Sequence, residues 1–211
     1  MAGVIALFGA TGRTGTRVLQ RALAAGYEVR LLARHPDAVR AAGERVTVIA
    51  GDVLDPAAVA ETVAGADAVV SVFGLVKGSP EDLQTRGTRN LVDAMRKQGV
   101  SRVITLTGGG LRDRQDQPKL ADKVIQGALK LMAGHVLKDA EGHLRVLEAS
   151  GLEWTVVRAP RLTTKPGTGH YRLGWVDGSS GTQVSRDDLA DAILAQLHDT
   201  GYVHAMPFVS A

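Results

Sequence analysis

Apolar and polar positions follow two rhythms along this chain, and the rhythm switches repeatedly. Val4–Phe8, Tyr27–Ala33, Val46–Ala50, Asp67–Val72, Arg102–Thr107 and Trp154–Arg158 are short runs dominated by Val, Ile, Leu and Ala. Near-continuous apolar runs of this length mark strands covered on both faces, as in a parallel sheet. Between them the spacing becomes helical. Val18, Leu19, Ala22 and Leu23 line one face of a helix predicted over about Arg13–Ala25. Further helices are predicted over Pro36–Ala42, from Pro56 to near Gly65, and over Glu81–Gln98, Ala121–Met132, Leu137–Ala149 and Ser185–His198. The punctuation agrees with the periods. Pro36 and Pro56 stand at first helical positions, Asp55 and Ser185 are N-caps, Asp188 is acidic in a first turn, and Gly26 and Gly99 are stops. Leu111–Leu120 is polar and aperiodic and reads as a surface loop, and Ala159–Leu162 reads as a turn. After Lys165 the chain turns glycine-rich. Short strands are predicted at Tyr171–Val176, Thr182–Val184 and Tyr202–Phe208, with a hairpin turn at Gly178–Gly181. Strand–helix alternation with short connections predicts an α/β fold: one doubly wound parallel sheet in a single domain over 1–211, with a small irregular region from about 163 on the substrate side.

The first switch of rhythm carries the chemistry. Val4–Phe8 runs straight into Gly9-Ala10-Thr11-Gly12-Arg13-Thr14-Gly15, and the first helix starts at once. A strand, a glycine turn and a helix start in that order make a cradle for a dinucleotide pyrophosphate: the turn is tight, the backbone comes close, and free N–H groups face the phosphates. The second strand ends at Arg34, about 20 residues past the last glycine, where Asp or Glu would select NAD by binding the ribose 2′-hydroxyl. An arginine there accepts the 2′-phosphate of NADP(H), and Arg13 can supply a second guanidinium. The expected cofactor is NADP(H). In a doubly wound sheet the ligand lies beyond the strand ends, which here carry Gly9–Gly15, Arg34, Asp52-Val53, Phe73-Gly74, Thr107-Gly108 and Pro160-Arg161.

Composition narrows the alternatives. The 211 residues carry 25 Lys and Arg against 22 Asp and Glu, a formal charge of +3, with the basic residues scattered. That distribution gives no footprint for nucleic acid, yet suits a polyanionic coenzyme. There is no cysteine, so disulfides and thiol chemistry are excluded. The six histidines are dispersed and imply no metal site. No apolar run has the length of a membrane span and no leader pattern stands at the start, so a cytoplasmic location without membrane association is expected. The glycine turn is not followed by Gly-Lys-Ser/Thr, and neither a Gly-x-Ser-x-Gly elbow nor a His-Glu-x-x-His pair occurs.

Gly9-Ala-Thr-Gly12-Arg-Thr-Gly15, Gly51-Asp52-Val53, Ser150-Gly-Leu-Glu-Trp-Thr-Val-Val-Arg158 and Val184-Ser-Arg-Asp-Asp-Leu-Ala190 together resemble the atypical short-chain dehydrogenase/reductases. The likeness is to the NAD(P)H-binding group around biliverdin reductase B (flavin reductase) and to NmrA-like proteins, and it spans nearly the whole chain. It implies a Rossmann-like fold. It also implies a pyrophosphate held by Gly9, Thr11, Gly12, Arg13, Thr14 and Gly15, a 2′-phosphate on Arg34, and adenine framed by Asp52 and Val53. Phe73 and Gly74 would line the ribose path; Pro160 and Arg161 would approach the nicotinamide, next to Thr107 and Gly108. The chain departs from the family at its proton donors. None of Tyr27, Tyr171 and Tyr202 has Lys four residues on. Gly108 stands where a serine follows the threonine in the reductase group, and Ala140 stands where many relatives have Lys or His. Thr107 and His143 are the candidate catalytic residues, with His135 and Lys138 as lesser ones.

The expected function is NADPH-dependent hydride transfer to a flat conjugated small-molecule acceptor such as a flavin, a quinone or a tetrapyrrole. Flavins and quinones collect their proton from water, so a missing acid costs them least, and the triglycine Gly108–Gly110 leaves room for a broad ring. The competing class is a non-catalytic NADP(H)-binding redox sensor of NmrA-like type with a protein partner.

Overall fold

The computed structural model describes residues 3–39, 43–117 and 134–211. Its main sheet is built from β1 (Val4–Phe8), β2 (Glu28–Ala33), β3 (Val46–Ala50), β4 (Ala68–Ser71), β5 (Arg102–Gly108), β6 (Glu153–Ala159), β8 (Arg172–Gly174) and β10 (Phe208–Ser210). The spatial order is β3-β2-β1-β4-β5-β6-β10-β8. Every pairing is parallel except β10 with β8. The helices are α1 (Gly15–Ala24), α2 (Pro56–Val63), α3 (Leu83–Gln98), α4 (Gly134–Glu148) and α5 (Arg186–Ala195).

Strand alternation splits the interior into two cores. Ala6, Phe8, Val69, Val103 and Val156 point to one side, where Val59, Leu91, Met95 and Leu147 of α2, α3 and α4 cover them. Ile5, Leu7, Val70, Ile104 and Val157 point to the other, under Val18 and Leu19 of α1 and Leu189 and Ile193 of α5. Because side chains alternate with period two, a strand covered on both faces is apolar at most positions, which is why the runs are near-continuous.

The chain starts at β1 and winds outward to β3. It then crosses back to lay β4 on the other flank of β1. The order reverses between β1 and β4, so the loops leaving these two strands diverge and open a crevice. This is the doubly wound Rossmann-like α/β arrangement expected from the sequence.

Local expectations change in several places. Pro36 opens only a 3₁₀ turn, Pro36–Ala38, rather than a helix; residues 40–42 lie outside the described part. The helix expected over Ala121–Met132 lies outside it too. Where a turn was expected, Arg161–Thr163 forms a strand, β7, paired parallel with β9 (Gln183–Ser185). The last strand is Phe208–Ser210, not Tyr202–Phe208. Residues 201–204 form a turn in which His204 has φ of 58°, and Pro207 has no N–H to give a ladder. Regular pairing therefore starts only after the proline.

Candidate functional site

The crevice between the ends of β1 and β4 is a cleft of about 350 Å³. Its walls include Gly9, Thr11, Gly12, Arg34, Asp52, Val53, Phe73 and Gly74, from four strand ends far apart in sequence. Gly9 has φ of +86°, and a Cβ there would lie 2.6 Å from the Phe73 nitrogen. Only glycine lets the β1 and β4 loops approach so closely. A Cβ on Gly15 would overlap the Gly9 carbonyl oxygen, and one on Gly12 would press against it at 3.2 Å. The first turn of α1 is thus seated directly on the strand end. Gly12 N–H donates to the Gly9 carbonyl at 3.0 Å, and Thr16 N–H to the Gly12 carbonyl at 2.9 Å. The N–H groups of Arg13 and Thr14 have no acceptor among the described residues. Thr14, at the N-cap, makes no side-chain cap bond and is itself buried. These donors and the positive end of α1 fit a pyrophosphate.

Arg34 and Asp52 stand at the outer end of the cleft, 59% and 40% exposed, with the Arg34 Nε 3.9 Å from Asp52 Oδ2. The other carboxylate oxygen, Oδ1, accepts from Leu54 N–H at 2.8 Å, so Asp52 also closes its own loop. The guanidinium is held near the crevice by a long, solvated contact and can turn to an anion. Phe73 is fixed from behind: a Cβ on Gly87 of α3 would lie 2.7 Å from its ring, and Gln84 Nε2 donates to its carbonyl at 3.3 Å. The loop beyond Gly74 adds Val76, Gly78, Ser79 and Pro80 to the wall. Sequence reasoning passed these over because nothing in a polar loop marks the direction in which it folds.

Thr107, Gly108, Pro160 and Arg161 do not line this cleft; they stand at the ends of β5 and β6, next to β4 in the sheet. Thr107 is buried, and Gly108 faces open space, with no atom within 4 Å of a Cβ built on it. Gly109 N–H donates to the Ala159 carbonyl at 2.7 Å, holding the two strand ends together just before Pro160 and the exposed Arg161.

His143 requires a correction. It lies on α4 but faces the core, 2% exposed, with Nδ1 2.7 Å from the Thr88 hydroxyl and Nε2 3.0 Å from the Thr105 hydroxyl. Burial pushes its pKa down to about 4, against a smaller upward pull from Asp139. With both nitrogens engaged between α3 and β5, it has none left for a substrate. A one-residue phase on a helix decides between cleft and core, and the sequence does not fix that phase. Ala140 is packed in the same core, while His135 and Lys138 line a groove between α3 and α4 rather than the crevice. Among the described residues no cluster of His, Asp and Glu is arranged to hold a metal ion, and no helix is long and apolar enough to cross a membrane.

The reversed strand order and the glycine cradle at its switch point define a nicotinamide-dinucleotide-binding protein of Rossmann type. The chain belongs to the NAD(P)H-binding family, whose model matches residues 9–200. It is 28% identical over 202 residues to an uncharacterised chloroplastic protein of Arabidopsis thaliana, covering 90% of this chain and 70% of that one. With an uncharacterised protein of Mycobacterium tuberculosis it shares 36% identity over 119 residues, 56% of this chain and 13% of the relative's length. Among solved structures it is similar to a short-chain dehydrogenase/reductase of Veillonella parvula in complex with NADP, with a TM-score of 0.80 and 22% identity, covering 99% and 94% of the two chains. An anaerobilin reductase of Escherichia coli O157:H7 aligns with a TM-score of 0.79 and 24% identity over 98% and 96%.

Proposed function

We propose that the protein is an NADPH-dependent oxidoreductase that passes hydride to a flat conjugated acceptor of the flavin, quinone or tetrapyrrole class. The observation that carries this is the make-up of the strand ends: a guanidinium at the adenosine end of the cleft, and at the tip of β5 no side chain. Gly9, Thr11, Gly12, Arg13, Thr14 and Gly15 hold the pyrophosphate, Arg34 takes the 2′-phosphate, Asp52 and Val53 border the adenine, and Phe73 and Gly74 line the ribose path. The bound coenzyme supplies a hydride. The chain supplies orientation and shelter from water. Gly108 leaves space against which a broad ring can lie, bordered by Thr107, Pro160 and Arg161. Thr107 is the nearest hydroxyl to that space in the strand. With His143 buried, the chain brings no ionisable proton donor from α4, which favours acceptors that take their proton from solvent.

The anaerobilin reductase of similar fold is consistent with a tetrapyrrole among the acceptors, although its 24% identity carries only the fold. A second reading, a coenzyme-binding redox sensor, is favoured by the missing hydroxyl at Gly108 and by the burial of His143. One experiment separates the two: NADPH oxidation is followed with FMN, quinones, bilins and redox dyes. Turnover well above the uncatalysed rate is the expected result. Tight NADPH binding with no turnover on any acceptor would replace the enzyme by the sensor.

A further inference from the structure

Arg158 is the last charged residue of β6 and is 0% exposed. Every nitrogen of its guanidinium donates a hydrogen bond. Nε donates to the Met206 carbonyl at 2.7 Å and Nη1 to the Leu111 carbonyl at 2.9 Å. Nη1 and Nη2 grip the two oxygens of Asp116 at 2.6 and 2.8 Å, and the Phe208 ring lies 5.8 Å from the guanidinium carbon. Asp116 is buried as well, its side chain 4% exposed. Beyond the bidentate pair, Oδ1 accepts from Val176 N–H at 3.0 Å and Oδ2 from Asp113 N–H at 2.9 Å. Gln117 N–H then donates to the Val176 carbonyl at 2.7 Å.

Such a pair is poor evidence for stability, because desolvating two charges consumes most of what their attraction returns, and apolar residues of like volume do as well. What it provides is geometry: a planar fork and a carboxylate fix direction as well as distance. Four segments meet on it: the end of β6, the loop Leu111–Gln117 that follows the triglycine, the loop at Val176 after β8, and the stretch through Met206 that leads into β10. The end of β6 runs directly into Pro160, the loop follows directly on Gly108–Gly110, and the Phe208 ring lies 2.8 Å from a Cβ built on Gly109. None of the residues assigned to the coenzyme at the ends of β1 to β4 touches the pair.

We propose that Arg158 and Asp116 are a positioning pair for the acceptor: together they set the wall that follows β5 against the Val176 loop, and so fix where the acceptor ring lies. This rests on reading the cleft as a hydride-transfer site, and it assigns acceptor recognition to segments independent of those that hold the coenzyme.

The test uses the full chain with three changes, Asp116→Asn, Arg158→Met and the double variant Arg158→Met/Asp116→Leu. Expected in Asp116→Asn is a KM for the acceptor raised about tenfold, with the Kd for NADPH within about twofold of the parent, since a wall displaced by a fraction of an ångström loses orientation without touching the coenzyme cradle. The double variant leaves no buried charge unpaired. It is expected to keep the parent's melting temperature to within a few degrees and still show the raised KM, which a purely structural pair would not do. If Arg158→Met alone does not fold, the other two variants decide. KM and Kd rising together, or neither moving, would overturn the proposal. Amide exchange in the NADPH-loaded protein reads the same device without turnover. Faster exchange confined to 109–117 and 174–178 in Asp116→Asn supports the pair even if the parent reduces no acceptor in the panel, in which case it is the functional reading that fails. Unchanged exchange, or loss of protection across the whole sheet, would overturn the pair itself.

Discussion

Arg34 and two glycines hold the most consequential choices at the scale of single residues. Among the described residues Arg34 makes one long ionic contact, with Asp52, so its removal costs the fold little and its effect is read in binding. Arg34→Asp is expected to weaken NADPH by roughly 1.5–3 kcal/mol, the range for a hydrogen bond to a charged group, while NADH binding falls much less. Titrating both coenzymes checks this, and equal losses would remove Arg34 from the 2′-phosphate. The glycines divide by what surrounds them. Gly15→Ala forces a methyl group into the Gly9 carbonyl, and such overpacking costs about 1–3 kcal/mol. It is expected to lower the melting temperature and coenzyme affinity together. A Cβ at Gly108 meets nothing within 4 Å, so Gly108→Val extends into open space. The melting temperature should hold while the acceptor KM rises, and a variant as active as the parent would show that the ring does not lie there.

Among the elements, α3 joins the cleft to the helical face of the molecule. Its own N-cap residue, Asp82, makes no cap bond. The buried Asp139 of α4 serves instead, accepting from Gln84 N–H and Thr85 N–H at 2.9 Å each and from the Thr85 hydroxyl at 2.7 Å. Gln84 in turn donates to the Phe73 carbonyl at the coenzyme cleft. Asp139→Ala orphans two helix-start donors in a buried place and is expected to cost about 1–3 kcal/mol, visible in denaturant unfolding. Asp139→Asn, which keeps an acceptor, should recover part of the loss. No local signal announces a cap that comes from 55 residues away. By contrast Asp55 and Ser185 cap their own helices, and both were legible from the sequence.

Over the whole molecule the buried ionisable groups set the response to acid. His143 titrates well below its usual 6.5, at about 4, because burial disfavours its charged form. Between those values the unfolded chain takes up a proton that the folded chain refuses. Stability therefore falls as pH drops through this window, by up to about 3 kcal/mol. Asp116, held low by Arg158 and by backbone N–H groups against the cost of burial, and Asp188, held low by Ser185 and the N–H groups of Gly169 and Thr168, act differently. Their contribution is present above the ordinary carboxylate range and is lost only as pH falls through their depressed values. The expected melting curve thus declines in two stages. His143→Gln should flatten the first stage and leave the second, as thermal melts across pH 3–8 would show; an unchanged upper stage would count against the buried neutral histidine.

Patterns local to the chain were enough to read the parallel α/β sheet and the glycine turn between its first strand and helix. Those features are set by residues close together along the chain: apolar runs, caps, and glycines at a turn that tolerates no Cβ. Arg34 belongs with them, since its place at the tip of β2 is fixed by where the strand ends. Only the tertiary structure decided that His143 faces Thr88 and Thr105 inside the core, that Asp139 caps α3, and that Arg158 closes on Asp116. Each of these depends on how two elements rotate and slide against one another. That rotation is chosen by close packing across the whole interior, where no single stretch of chain holds the answer.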